Sequence, residues 1–429
     1  MMFPSFPSRA AFALAAAAAL MAACGSTRSA SFDDSDPNAG NGNGNGNGNG
    51  DGFGGEGGAP QTATPIGALK GTVYAPEGSV PISNALVYLT RTAPEAIPNK
   101  VFCDTCVQLG AGVSYTYSKP DGTFELPVFD AGTTNLVVQK GQFRRVRKID
   151  VAAGDANVPK DKTTFPGASD PSNGDDIPRI AVTFGGYDKI ELSLKKLGIT
   201  QFDRFGRDPI FDPPGLPPSV GQPTDLINNA ARLSDYHIVL LPCSLGGINC
   251  GGPTNQQRDN LRGYVNAGGK VYVTDYSYEF VKQTWPGFIT WKDKNGSDLA
   301  VNGPIGEACQ DSPHTRKGIA DDKGLGDWLT AIGETNYELK DSWTVISKVN
   351  PQQGTDPTGA PTTITPKVWM TSDGKGPSTV SFENQCGRVL FSTYHAEGGE
   401  AQALLAQEKA LLYILLEVGV CVGQQPPPR

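Results

Sequence analysis

Histidine is nearly absent from this chain of 429 residues, with only His237, His314 and His395. The spacing of the three carries no metal-ligand motif, so no metal centre is expected and imidazole chemistry must fall to one of them. Charge is also scarce, at 19% of residues, and the net charge of −8 leaves no electrostatic footprint for nucleic acid. After residue 24 no apolar run approaches the ~18 residues of a membrane-spanning helix. The Gly185-Gly186 turn lacks a G-x-G-x-x-G pattern, so no dinucleotide and no other cofactor is implied. What remains is enough for two to three domains. A 38% hydrophobic content can fill a core, and Gly 53 and Pro 34 point to low-complexity segments and many turns.

The N-terminus reads as an export signal. Arg9 precedes an apolar run from Ala10 to Ala23, the length of a signal-peptide core rather than of a bilayer span. The run ends in Leu20-Met21-Ala22-Ala23-Cys24, which resembles a bacterial lipobox. That resemblance implies that residues 1–23 are removed, that Cys24 is lipidated, and that acyl chains hold the protein to a membrane. Gly25 rather than Asp after the cysteine resembles the pattern of outer-membrane sorting. Residues 24–65 contain almost no apolar side chains and centre on a Gly-Asn alternation, so they are expected to be a disordered tether.

Short β-branched runs separated by Gly, Pro and Asp turns follow: Leu69–Tyr74, Ala85–Thr90, Thr123–Leu126, Leu136–Gln139 and Val146–Val151. They predict an antiparallel β-sandwich over residues 66–153. The order GTVYAPEG, PISNALVYL, DGTFELP resembles the carboxypeptidase regulatory-like domain, which implies a carbohydrate-binding-like fold and a spacer or glycan-binding role. Cys103-Asp104-Thr105-Cys106 lies in a loop without further ligands or a βαβ context, and is expected to close as a local Cys103–Cys106 disulfide.

Residues 154–177 are polar and turn-rich and read as a linker. From 178 to 423 the pattern becomes α/β. Buried strands are expected at Ile180–Phe184, His237–Leu241, Lys270–Thr274 and Val389–Thr393, with helices at Gln256–Asn266 and Glu400–Val418. Such a succession predicts a three-layer, mostly parallel sheet whose carboxyl edge gathers the residues near Gly185, Cys243, Asp275 and His395. A strand from Gly387 spans ~26 Å and the helix after it ~28 Å, which returns the chain to Cys386 and predicts a Cys386–Cys421 disulfide. One further bridge is left open among Cys243, Cys250 and Cys309, and residues 424–429 are a disordered tail.

The α/β stretch resembles the class I glutamine amidotransferase-like fold. In enzymes of that family the nucleophilic cysteine sits on a Gly-x-Cys-x-Gly elbow, and a His-x-Glu pair follows a late strand. Here Tyr394-His395-Ala396-Glu397 matches the second half, but the elbow reads Val273-Thr274-Asp275-Tyr276-Ser277. His395 and Glu397 are therefore the catalytic candidates, with Asp275 or Ser277 as the stand-in nucleophile, and the missing cysteine and glycines argue against covalent acyl transfer. The ordered segments CDTC, DIPRIAVTFGG, YHIVLLPC, AGGKVYVTDYSYEF, NQCGRVLFSTYH and QEKALLYILLEVGVC together resemble uncharacterised lipoproteins of myxobacterial type. The expectation is a membrane-anchored envelope lipoprotein, facing the periplasm or the surface, that binds an envelope glycan or protein without catalysis. The alternative is a hydrolase using His395 and Glu397 with a non-cysteine nucleophile.

Overall fold

The structure, a computed structural model, describes residues 64–104, 107–109, 112–208, 210, 212–396 and 403–416. The signal segment, Cys24, almost all of the tether, Cys106, Glu397, Cys421 and the C-terminal tail lie outside the described residues.

Residues 66–151 form the expected antiparallel strands. Gly67–Thr72 pairs with Thr123–Val128 in one sheet. In the other, Tyr115–Tyr117, Leu86–Thr90, Gly132–Lys140 and Phe143–Val151 lie side by side. Alternation along Thr123–Val128 and Gly132–Lys140 puts Phe124, Leu126, Leu136 and Val138 inward. The stretch 154–177 is not a free linker. Ala156–Asn157 adds to the first sheet and Asp175–Asp176 to the second, so its polar residues serve as edge strands. Asp175 receives Arg145 Nε at 2.8 Å and Arg147 at 2.8 Å, and Phe165 and Ile177 are buried in the core, so the stretch is held down by both.

The α/β part is built on a ten-stranded sheet. Six strands are parallel, in the order Ser219–Gly221, Asp203–Phe205, Ile180–Thr183, Ile238–Leu241, Lys270–Thr274 and Gly387–Ser392. Four antiparallel strands extend it: Gly376–Asn384, Lys367–Ser372, His314–Ala320 and Glu338–Ser342. The central strands are buried on both faces, as their unbroken apolar runs require. Alternate residues divide between two cores. Val239, Val271, Val389 and Phe391 pack with Leu261 and Val265 of the helix Asn255–Asn266. Ile238, Leu240, Tyr272 and Leu390 face the helices Ile190–Lys196, Lys323–Ala331 and Ala406–Leu416. That second core continues without a break into Val73, Val87, Phe124 and Leu136 of the sandwich. The two parts are also tied directly, since Trp328 Nε1 donates to Pro81 O at 2.7 Å and Glu77 N to Leu197 O at 3.2 Å.

The last helix starts at Ala406 rather than at Glu400, because residues 403–405 are not helical. The start is set by Glu408, whose carboxylate accepts from Leu405 N at 2.8 Å and from Ser193 Oγ at 2.9 Å and pairs with Lys196.

A strap from the sandwich closes the amino edge of the parallel sheet. Val101 N donates to Ser234 O at 2.9 Å, His237 Nε2 donates to Pro98 O at 2.8 Å, and Lys270 Nζ reaches Asp104 Oδ2 at 2.6 Å. The strap passes so close to Gly268 (φ +109°) that a Cβ there would lie 1.9 Å from Phe102 O. It ends in a disulfide between Cys103 and Cys386, with Cα atoms 4.9 Å apart. This corrects both expected pairings, Cys103–Cys106 and Cys386–Cys421. Cys386 does sit at the amino edge, in the turn between two paired strands, but the strap delivers Cys103 to it across the domain boundary. The open bridge is Cys250–Cys309, which leaves Cys243 a buried free thiol. Among the described residues no helix is long and apolar enough to cross a membrane.

Candidate functional site

Parallel strands that end side by side deliver their following residues to one place. Thr274 is the register partner of Ser392, so the residues just beyond them, Asp275 and His395, are neighbours. Cys243 follows the adjacent strand, and Asp188 follows the next one out. These are the carboxyl-edge positions expected from the sequence.

Asp275 occupies the turn from strand to helix with φ +47°, a left-handed backbone that a non-glycine residue rarely holds. The left-handed turn therefore forms with Thr274 and Tyr276, not glycines, on either side. Its carboxylate is fully buried and already engaged. Trp343 N donates to Oδ2 at 3.0 Å and to Oδ1 at 3.1 Å, and Thr344 Oγ1 donates to Oδ1 at 3.0 Å. Burial pushes the Asp275 pKa well up, against those hydrogen bonds.

His395 Nε2 lies 3.4 Å from Asp275 Oδ2, but the two are not aligned as donor and acceptor, so the buried ring nitrogen has no hydrogen-bond partner. Burial lowers the His395 pKa to about 4, although Asp341 near by favours the charged ring. Cys243 Sγ completes a cluster in which sulfur, carboxylate oxygen and ring nitrogen all lie within 4.8 Å of one another. Its thiol is pushed up first by burial and then by Asp275. Near pH 7 the cluster thus holds a neutral imidazole and a protonated thiol.

A second layer braces these groups. Asp188 accepts from Thr274 Oγ1 at 2.8 Å and from Ala396 N at 3.1 Å, and Thr274 Oγ1 accepts from Cys243 N at 2.8 Å. Four strand ends are stapled by this chain of bonds. Ser277 is spent in the same way. Its hydroxyl donates to Pro242 O at 2.6 Å and accepts from Leu245 N at 3.1 Å, so it holds the loop of Cys243 and does not stand free as a nucleophile. His314 opens an antiparallel strand opposite Ser342 and is not part of the Cys243–Asp275–His395 cluster. Glu397 lies outside the described residues.

Aromatic rings flank the cluster. Tyr276 and Trp343 meet edge to face with centroids 5.6 Å apart. Tyr187 is 56% exposed, and its hydroxyl accepts from Asn249 Nδ2 at 3.3 Å. Burial raises the Tyr276 pKa to about 12, with Asp275, Cys243 and Tyr187 adding to it, and the Tyr276 hydroxyl donates to Gln310 O at 2.8 Å. Neither Trp343, Thr344, Asp188 nor these tyrosines was identifiable from spacing, because each reaches the site from a different loop.

No protein-family model matches the chain, and no curated protein matches it. Among solved structures it is similar to a ThuA-like protein from Bacteroides uniformis, with 12% identity over 55% of this chain and 89% of that one, at a TM-score of 0.32. It is similar to a GMP synthase component from Thermoplasma acidophilum, with 10% identity over 56% of this chain and 92% of that one, at a TM-score of 0.31. A β-galactosidase from Rahnella sp. R3 shares 11% identity over 58% of this chain but only 33% of its own length, at a TM-score of 0.30. The chain thus spans about a third of the length of the β-galactosidases it matches. Likenesses at this level carry no activity over to the chain.

Proposed function

We propose that this chain is an envelope lipoprotein, anchored through acyl chains on Cys24, whose amidotransferase-like carboxyl edge binds a glycan and does not catalyse. The observation that carries this reading is the state of Asp275. The residue at the elbow is a carboxylate sealed from solvent and held by Trp343 N and Thr344 Oγ1, where acyl transfer needs an exposed and activated nucleophile. Cys243 does not replace it, since burial keeps the thiol protonated, and Ser277 is committed to Pro242. What supports the glycan reading is the exposed ring of Tyr187, bonded to the amide of Asn249, together with the half-buried rings of Tyr276 and Trp343.

Co-sedimentation of the purified chain with peptidoglycan sacculi, and titration with soluble glycan strands, tests the reading. Saturable binding that Tyr187→Ala and Trp343→Ala each weaken is expected. Binding that neither change affects, or none at all, overturns the glycan assignment.

A further inference from the structure

The cluster beneath the aromatic rim has a spacing that hydrogen bonding does not account for. Two ligands at ~2.0–2.1 Å from a tetrahedral zinc ion stand about 3.3–3.4 Å apart. Asp275 Oδ2 and His395 Nε2 stand 3.4 Å apart and are not aligned to share a proton. A thiolate at ~2.3 Å from the same ion stands roughly 3.6 Å from the nitrogen. Cys243 Sγ is within 4.8 Å of both partners, so an adjustment on the order of 1 Å brings it to that distance.

We propose that Cys243, Asp275 and His395 form a site for a single divalent cation of borderline softness, zinc above all. The donor set is the argument for the metal: one sulfur, one imidazole nitrogen and one carboxylate oxygen suit zinc and exclude magnesium or calcium, which take oxygen alone. The His395 nitrogen is the donor with no other bond, and Asp275 Oδ2 keeps a lone pair beyond the one that accepts from Trp343 N. Cys243 is the one cysteine among the described residues that is not in a disulfide. His395 Nε2 is buried without a hydrogen bond. Asp275 is held in a left-handed turn that aims a carboxylate into a closed space. The neighbouring groups serve as a supporting shell. Trp343 N and Thr344 Oγ1 fix the carboxylate, and the Asp188–Thr274–Cys243 chain of hydrogen bonds fixes the backbone that carries the sulfur.

Binding has a definite proton balance. The Cys243 thiol gives up its proton to solvent as the Zn–S bond forms, Asp275, which burial favours in the protonated form, likewise releases to solvent any proton it carries, and neutral His395 donates its Nε2 lone pair without losing a proton. Three protein ligands leave a fourth position of the tetrahedron for water or for a ligand group. The site is independent of the glycan reading: it lies under the rim, and a chain that binds metal and no sugar would satisfy it.

The test is metal binding by the purified full chain after chelator treatment and dialysis. Titration with zinc is expected to saturate at one ion per chain, and cobalt is expected to give a sulfur-to-cobalt charge-transfer absorption. Cys243→Ser and His395→Gln are each expected to weaken zinc by about a hundredfold or more, and His314→Gln to leave it unchanged. If the variants fail to fold, the cobalt spectrum of the unaltered chain decides the question. No saturable zinc binding, or a cobalt complex without the sulfur band, overturns the proposal.

Discussion

Asp275 and His395 stand 3.4 Å apart because the strands Lys270–Thr274 and Gly387–Ser392 are paired in parallel and end together. The Asp275 carboxylate is held by its own surroundings, through Trp343 N and Thr344 Oγ1. Asp275→Ala removes the acceptor for Trp343 N and Thr344 Oγ1 and places alanine in a left-handed turn. A loss of about 2–4 kcal/mol in urea unfolding is expected, whereas Asp275→Asn, which keeps an acceptor and tolerates the turn, costs about 1 kcal/mol or less. Equal losses for the two would contradict this account of the elbow.

Cys103 and Cys386 join segments 283 residues apart, and the bond pins the strap over the amino edge. Cys386→Ser is expected to destabilise the chain by about 2–5 kcal/mol and to raise amide exchange in residues 98–104. Denaturant midpoints and hydrogen-exchange mass spectrometry would show it. An unchanged midpoint with a protected strap would mean the disulfide adds nothing to the other contacts.

His237 latches the same strap in its neutral form. Nδ1 accepts from Arg179 N at 2.9 Å while Nε2–H donates to Pro98 O. Burial lowers its pKa below the ordinary 6.5, with the Pro98 bond opposing. A lowered histidine pKa means the unfolded chain takes up the proton first. The contribution is complete above the ordinary value and is lost as pH falls through the folded one. Stability should therefore drop from pH 7 to 5, and His237→Gln should flatten that part of the curve. The difference between the two curves is the readout. Parallel curves would remove His237 from the account.

Gly268 meets the strap at its tightest point. Gly268→Ala is expected to cost more than the ~1 kcal/mol of an ordinary left-handed glycine, because the added methyl must displace Phe102 O as well. Thermal unfolding against Gly333→Ala, where φ is +87° and nothing lies within 4 Å, separates the two effects. Similar costs at both positions would show that the strap yields easily.

The parallel strands were legible because each is a short apolar run closed by a turn. The parallel order of the strands placed Cys243, Asp275 and His395 on one edge from the sequence alone, and they are neighbours there. What was not legible depended on contacts between distant segments. The Cys103–Cys386 bond joins two parts that the sequence presents as separate domains. Residues 154–177 are mostly polar, and what holds them, Phe165 and Ile177 in the core and Asp175 on Arg145 and Arg147, is set by contacts with distant segments. The elbow was discounted for want of glycines, yet Asp275 takes the left-handed turn with its side chain tied to Trp343 and Thr344. The aromatic rim comes from separate loops, so no spacing in the sequence links Tyr187 to Trp343.

The central claim is that this carboxyl edge binds without turning anything over. The most direct measurement is ammonia release from glutamine and hydrolysis of an activated ester by the purified chain, set beside His395→Gln. The account predicts no turnover above background and no difference between the two proteins. Turnover by the unaltered chain that His395→Gln abolishes would contradict it and restore the hydrolase reading.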